Sequence, residues 1–187
     1  ITYKNPDGIS GFCGFGQFVV AKAEDLYIAN DNVPFEKLAV VEPVACVINS
    51  INNANVEFGD DVLVIGGGTM GMLHVMLAHM KGANVILSEP VEERRKKALE
   101  LGANAVIDPT KVDVAEEVKR LTDGLGAKIV FNTTAIPAIA LQALDCTAKC
   151  GTMVMFSSLH PNKPEEINLG AIHSTQKNIT GAQNGTV

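Results

Sequence analysis

Three glycines, Gly66, Gly68 and Gly71, stand in "VLVIGGGTMGMLH" at the spacing G-x-G-x-x-G. Glycine at the first position permits a tight turn out of a strand. At the second it lets a phosphate approach the backbone, and at the third it lets a helix pack closely on its sheet. The residues before this run are apolar and β-branched, and Thr69 and Met70 open a helical stretch after it. The helix start then offers free N–H groups and a positive dipole end where a pyrophosphate would lie. About 20 residues further on, "VILSEP" carries Glu89, where an acidic side chain accepts hydrogen bonds from the adenosine ribose hydroxyls of NAD. A carboxylate there also opposes a 2′-phosphate, since two unit charges about 4 Å apart near a surface interact by ~4 kcal/mol. The expected ligand is therefore a dinucleotide, NAD before NADP. Arg94 is the side chain that would argue for NADP, because a nearby arginine can receive a 2′-phosphate. The alternatives without a ligand are a Gly-rich turn and an acid at a helix start beside Pro90.

A second candidate is Glu42, the one carboxylate in the apolar run "LAVVEPVACVIN". Burying an unpaired carboxylate costs several kcal/mol, on the order of the penalties for isolated buried charges. Its residues leave two partners open: water at a helix start, or a metal ion. The four histidines, His74, His79, His160 and His173, form no HxxxH or HExxH pattern. They read as packing or surface residues. Cys13, Cys46, Cys146 and Cys150 form no CxxC pair, and Cys146 and Cys150 read as packing residues of a reduced, cytoplasmic protein.

The charge balance narrows the partners. A formal net charge of −6 argues against a nucleic-acid binder, which needs clustered Lys and Arg. The basic run Arg94–Lys97 is surrounded by Glu92, Glu93 and Glu100 and reads as a solvated helix face. The uncharged stretch from Val62 to Met80 is nominally long enough to span a bilayer. Its three consecutive glycines, its two histidines and its strand-like first part exclude that reading, so no membrane partner is expected.

These candidates need elements to hold them. From Asp60 onward short apolar β-branched runs alternate with helical stretches. "DVLVIGG", "NVILSEP", "NAVIDP", "KIVFNTT" and "GTMVMFSS" read as strands, and "KNITGA" as a sixth. Between them lie "TMGMLHVMLAHMKGA", with Met70, Leu73, Leu77 and Met80 on one face, then "VEERRKKALELGA" ended by Gly102, "DVAEEVKRLTDGLGA" and "IPAIALQALDCTA". Such alternation predicts right-handed βαβ units in a doubly wound parallel sheet, an α/β Rossmann fold. Upstream, "GFCGFGQFVVAKAEDLYIAND" reads as extended segments with turns, and Phe35 to Asn53 as helix, with Pro43 suited to a first helical position. A boundary falls near residues 40 to 45. The chain begins with Ile1 rather than Met, as expected of an internal piece of a longer protein.

Together, the run from "CGFGQFVVAKAEDLYIANDNVPFEKLAVVEPVACVINSI" through "EFGDDVLVIGGGTMGMLHVMLAHMKGANVILSEPVEERRKKALELGANAVIDP" to "NITGAQNGT" resembles the zinc-dependent medium-chain alcohol dehydrogenases. The resemblance is greatest to the polyol branch, sorbitol-dehydrogenase-like and threonine-dehydrogenase-like enzymes. It implies that residues 1–42 are the end of a β-rich, GroES-like catalytic domain and that 43–187 are the NAD-binding Rossmann domain without its last helices. It implies an oxidoreductase moving a hydride between a secondary alcohol or polyol and NAD, with zinc in the full-length parent. Glu42, in the "EP" element, would lie at that zinc as a ligand or through its water. Thr133, Phe156 and Ser157 would line the nicotinamide half, where the rule that ligands sit outside the carboxyl ends of parallel strands also puts them. A homodimer or homotetramer is the implied assembly. The other metal ligands of this family lie upstream of Ile1, so the segment alone is expected to be inactive. Two alternatives stand beside this reading: a zinc-free quinone or enoyl reductase of the same superfamily, and a non-catalytic nucleotide-binding module.

Overall fold

The computed structural model describes Ala23 and residues 26–184. Cys13 and most of the extended segments expected upstream of Asp31 lie outside the described residues. The chain divides into two compact units, Ile1–Leu38 and Ala39–Val187. Of the first unit, residues 26–34 are irregular and lead into one helical turn, α1 (Phe35–Leu38). The Lys37 and Leu38 N–H groups donate to the Pro34 carbonyl at 3.0 and 3.1 Å.

The second unit alternates strands and helices along its whole length. Its elements are α2 (Val41–Asn53), β1 (Asp61–Ile65), α3 (Thr69–Met80), β2 (Asn84–Ser88), α4 (Glu92–Glu100), β3 (Ala105–Ile107), α5 (Val114–Leu121), β4 (Ala127–Asn132), α6 (Pro137–Cys146), β5 (Thr147–Met155), α7 (Leu169–Thr175) and β6 (Asn178–Gly181). The strands form one parallel sheet in the order β3-β2-β1-β4-β5-β6. This is the doubly wound order, and its switch point lies between β1 and β4.

Alternation along each strand explains the two-layered core. Val62 and Val64 of β1, Val85 and Leu87 of β2, and Ile129 and Phe131 of β4 pack against α2, α3 and α4. Leu63, Ile65, Ile86 and Val130 point to the other face, against α5 and α6. With both faces covered, the middles of the strands must be apolar, as "VLVI" and "IVF" are. Each fully buried aliphatic side chain contributes roughly 1.5–3 kcal/mol of transfer free energy.

Three expectations need correction. Phe35 to Asn53 is two helices, broken at Ala39 and Val40. Pro43 is the third residue of α2, still inside the first turn, where a missing N–H leaves no intrahelical bond unmade. The core-facing stripe of α3 is Gly71, His74, Val75 and Ala78. Met70, Leu73 and Leu77 flank it, and Met80 is 77% exposed. That helix is apolar on every side, so periodicity could not choose its face, and the small residues Gly71 and Ala78 decided it. Helix α7 had no counterpart in the sequence reading. It is short, and its visible signal is the Asn168 cap, whose side chain accepts from Ala171 N–H at 3.0 Å.

His74 fastens α3 to α2. It is fully buried. Its Nδ1 lies 2.8 Å from the Met70 carbonyl and its Nε2 lies 3.0 Å from Ser50 Oγ. A carbonyl only accepts, so Nδ1 carries the proton and Nε2 accepts from the Ser50 hydroxyl. The ring also lies 4.6 Å from Phe131 and 4.7 Å from Phe156, centroid to centroid. Burial lowers its pKa from 6.5 to about 4, against the smaller opposing effect of the Met70 carbonyl. The unfolded chain therefore binds a proton between these values that the folded chain does not. The stability His74 confers as a neutral group is complete above about pH 6.5 and falls as pH drops toward about 4, by on the order of 3 kcal/mol in all. Thermal melts across this range should show a steeper loss for the wild type than for His74→Gln. Parallel curves would show that His74 is not the titrating group.

Candidate functional site

The turn after β1 is built by its glycines. Gly66 has φ +101°, a left-handed conformation, and a Cβ there would come 2.8 Å from Thr133 Oγ1. At Gly71 a Cβ would lie 1.8 Å from the Gly66 carbonyl oxygen, so the first turn of α3 closes onto the Gly-rich turn only because no side chain intervenes. Gly68 differs from both. It is exposed, and a Cβ there would meet nothing within 4 Å. It is also the N-cap of α3 and provides no side chain to bond the helix's first N–H groups. Open space therefore faces an uncapped helix start with a positive dipole end, with the exposed Thr69 and half-buried Met70 beside it. These residues fit a pyrophosphate.

Glu89 follows the end of β2 and is 3% exposed. Its Oε2 accepts from the Gly67 N–H at 2.6 Å and its Oε1 from the Val91 N–H at 2.9 Å. Each carboxylate oxygen has two acceptor positions, so each keeps one for a further donor. Arg94 lies 3.8 Å from Oε2 with its side chain 54% exposed. The neighbouring Arg95 behaves differently from a solvated face residue, which corrects the reading of the Arg94–Lys97 run. Its side chain is 12% exposed, one guanidinium nitrogen donates to the Glu89 and Pro90 carbonyls at 2.7 Å, and another pairs with Asp108 at 3.0 Å. It clamps the end of β2 to the loop after β3. Lys96 and Lys97 do lie on a solvated face, paired with Glu92 and Glu100.

The ends of β4 and β5 close the other side of the switch point. The Thr133 hydroxyl donates toward the Ile65 and Gly66 carbonyls at 2.9 and 3.2 Å, so it braces the Gly-rich turn. Asn132 is fully buried, and its Oδ1 accepts from the Thr134 N–H and hydroxyl. The N–H groups of Phe156 and Ser157 both reach the Asn132 carbonyl, at 3.2 and 3.4 Å. Phe156 and His74 meet in a T-shaped arrangement. The structure thus gathers Gly66, Gly68, Thr69, Gly71, Glu89, Thr133, Phe156 and Ser157 along the carboxyl edge of one sheet. Gly67, Asn132 and Arg95 were not singled out in the sequence. Gly67 shows only as the middle of a glycine triplet, and its partner Glu89 lies 22 residues away, as Asp108 lies 13 residues from Arg95.

Glu42 stands in the first turn of α2 and is exposed, as is Val41. The penalty for a buried charge therefore does not apply to it: the buried side of α2 is Cys46, Val47, Asn49, Ser50 and Ile51. Its Oε1 accepts from the Cys46 thiol at 3.3 Å. Among the described residues no group of three or more His, Cys, Asp or Glu is placed to hold a metal ion. One carboxylate with one thiol nearby falls short of the three protein ligands a catalytic zinc takes, so the described residues do not fit a complete zinc site. The other two described cysteines are chemically quiet or peripheral. Burial, reinforced by Asp145, pushes the Cys146 thiol up to about 12. Cys150, expected to pack, is instead exposed at φ +57° with its sulfur 3.2 Å from Gln176 Oε1. No helix among the described residues is long and apolar enough to cross a membrane.

Residues 69–186 match a family model described as zinc-binding dehydrogenase. The chain is 30% identical over 177 residues to an L-threonine 3-dehydrogenase of Caldanaerobacter subterraneus subsp. tengcongensis, a match covering 93% of this chain and 51% of that protein. Its fold superposes on 2R,3R-butanediol dehydrogenase from Bacillus subtilis with a TM-score of 0.76 at 30% identity, over 83% of this chain and 44% of that one. A Sinorhizobium meliloti 1021 protein solved bound to NADP gives a TM-score of 0.75 at 29% identity, over 79% and 44%. The chain spans about half the length of these relatives.

Proposed function

The chain belongs to the zinc-binding dehydrogenase family, and on that premise we propose that it is the cofactor-binding part of an NAD-dependent oxidoreductase acting on a secondary alcohol or polyol. The observation that carries this is the open space in front of Gly68 at an uncapped helix start, with Glu89 held at the neighbouring strand end. NAD supplies the hydride acceptor when bound. The chain's own residues do the rest of the work on this side: the Gly66–Gly68 turn and the start of α3 hold the pyrophosphate, Glu89 takes the adenosine ribose, and the strand ends at Thr133, Phe156 and Ser157 border the nicotinamide. Residues 43–187 are the cofactor domain in this reading, and 1–42 the end of a catalytic domain. Glu42 would be one ligand, direct or through water, of a zinc whose other ligands lie outside the described residues. The assembly is a homodimer or homotetramer.

NAD is preferred to NADP because Glu89 is an anion fixed by two backbone N–H groups. A 2′-phosphate placed beside it would meet a like charge that cannot turn away without leaving both bonds. Titration of nicotinamide fluorescence should show NADH binding at least tenfold more tightly than NADPH. Equal or tighter NADPH binding would remove Glu89 from this role and give Arg94 the deciding one.

A further inference from the structure

We propose that Gly67, the middle glycine of the triplet, sets cofactor choice by giving the Glu89 side chain room to lie against the turn. This rests on the reading of Glu89 as the ribose-binding acid. Gly67 is buried, and unlike Gly66 it has no positive φ that would demand glycine. Its lack of a side chain answers to a neighbour instead. A Cβ on Gly67 would stand 2.9 Å from Glu89 Cγ, 3.0 Å from Oε2 and 3.2 Å from Cδ. Three consecutive parts of one side chain thus occupy the volume an alanine methyl would take. The same residue donates its N–H to Oε2 at 2.6 Å. Gly67 therefore does two things: it leaves the space and it supplies the bond.

The length of the acid makes this necessary. A glutamate at the end of β2 must fold its extra methylene somewhere before its carboxylate can face both the Gly67 N–H and the Val91 N–H. It folds over Gly67. In that pose the carboxylate has one acceptor position left on each oxygen, which suits the paired hydroxyls of an unmodified ribose and repels a 2′-phosphate. A methyl at residue 67 must push the Glu89 stem outward and break the bond to the turn. The displaced carboxylate would then move toward Arg94, now 3.8 Å away. Neutralised by that contact and off its site, it would hold the ribose less well and oppose a 2′-phosphate less. Gly67 is a positioning residue in this scheme, acting through Glu89.

The test is a double-mutant cycle read by NADH and NADPH titration together with thermal melting. Gly67→Ala should lower the NADH-over-NADPH preference at least tenfold, chiefly through weaker NADH binding. Glu89→Asp in the Gly67→Ala protein removes one methylene from the crowded stem and should restore most of the preference. A purely structural role for Gly67 would lower both affinities together and leave their ratio unchanged. An unchanged ratio in a folded Gly67→Ala protein overturns the proposal, as does failure of Glu89→Asp to restore it. Should Gly67→Ala not fold, the double variant decides: a folded double that prefers NADH supports the proposal, and an unfolded one overturns it, because the strain would then lie outside the Glu89 side chain. A wild type without NADH preference is a different result, visible before any variant is made, and overturns the ribose reading of Glu89 on which the proposal stands.

Discussion

Gly68→Val should weaken NADH binding at least 100-fold, about 2.7 kcal/mol, while the melting temperature stays within a few degrees of wild type. The backbone at Gly68 has φ −75° and ψ −175°, an extended conformation open to valine. No atom lies within 4 Å of the position its Cβ would take. Nothing in the folded chain therefore resists the substitution. The methyl groups would project into the space in front of the α3 N–H groups, where a pyrophosphate would approach. The contrast with Gly71 sharpens the argument. A Cβ there meets the Gly66 carbonyl at 1.8 Å, so Gly71→Ala would lose binding through a damaged turn and could not separate ligand from fold. Calorimetric titration with NADH, beside a thermal melt of the same sample, tests Gly68→Val. Wild-type affinity in the variant would mean that no phosphate passes over Gly68.

The turn and its helix were legible because their geometry is written in local residue types. A left-handed φ at Gly66, a Cβ-free contact at Gly71 and an apolar strand before them each leave a mark within a few residues. The sheet was legible for a related reason: strands covered on both faces are apolar through their middles, so "VLVI", "VIL" and "IVF" stand out. What stayed hidden depends on partners distant in the chain. Arg95 looks like one more base in a charged helix until Asp108 and the carbonyls of Glu89 and Pro90 are brought around it. His74 looks like a stray histidine until Ser50, Phe131 and Phe156 enclose it. Gly67 is indistinguishable from its neighbours until the stem of Glu89 is laid over it. At Glu42 the sequence misled, because an apolar run does not say which of its positions face the core. A helix buries one stripe, and Glu42 with Val41 fell outside it.

That exposure changes what Glu42→Ala should do. A buried, unpaired carboxylate would be a large liability to the fold, and its removal would stabilise. An exposed one in the first turn of α2 contributes ~0.5 kcal/mol through the helix dipole, with the bond from the Cys46 thiol beside it. If that were its whole role, Glu42→Ala in the full-length protein would shift stability slightly and leave turnover near normal. Under the proposed function the exposed acid would have a second use, since a metal ligand must reach out of its own helix toward ligands supplied elsewhere. On that reading Glu42→Ala should lower turnover more than 100-fold and reduce bound zinc. Loss of an outer partner alone costs roughly 10- to 100-fold, and a direct ligand should cost more. NADH affinity should stay within about twofold, because under the proposed function the dinucleotide is held by Glu89 and the Gly66–Gly68 turn, none of which belongs to α2. Zinc content, turnover and NADH affinity measured on one preparation distinguish the two roles. Full zinc with wild-type turnover would leave Glu42 as a helix-start carboxylate; lost turnover with unchanged NADH affinity would place it on the metal side of the reaction.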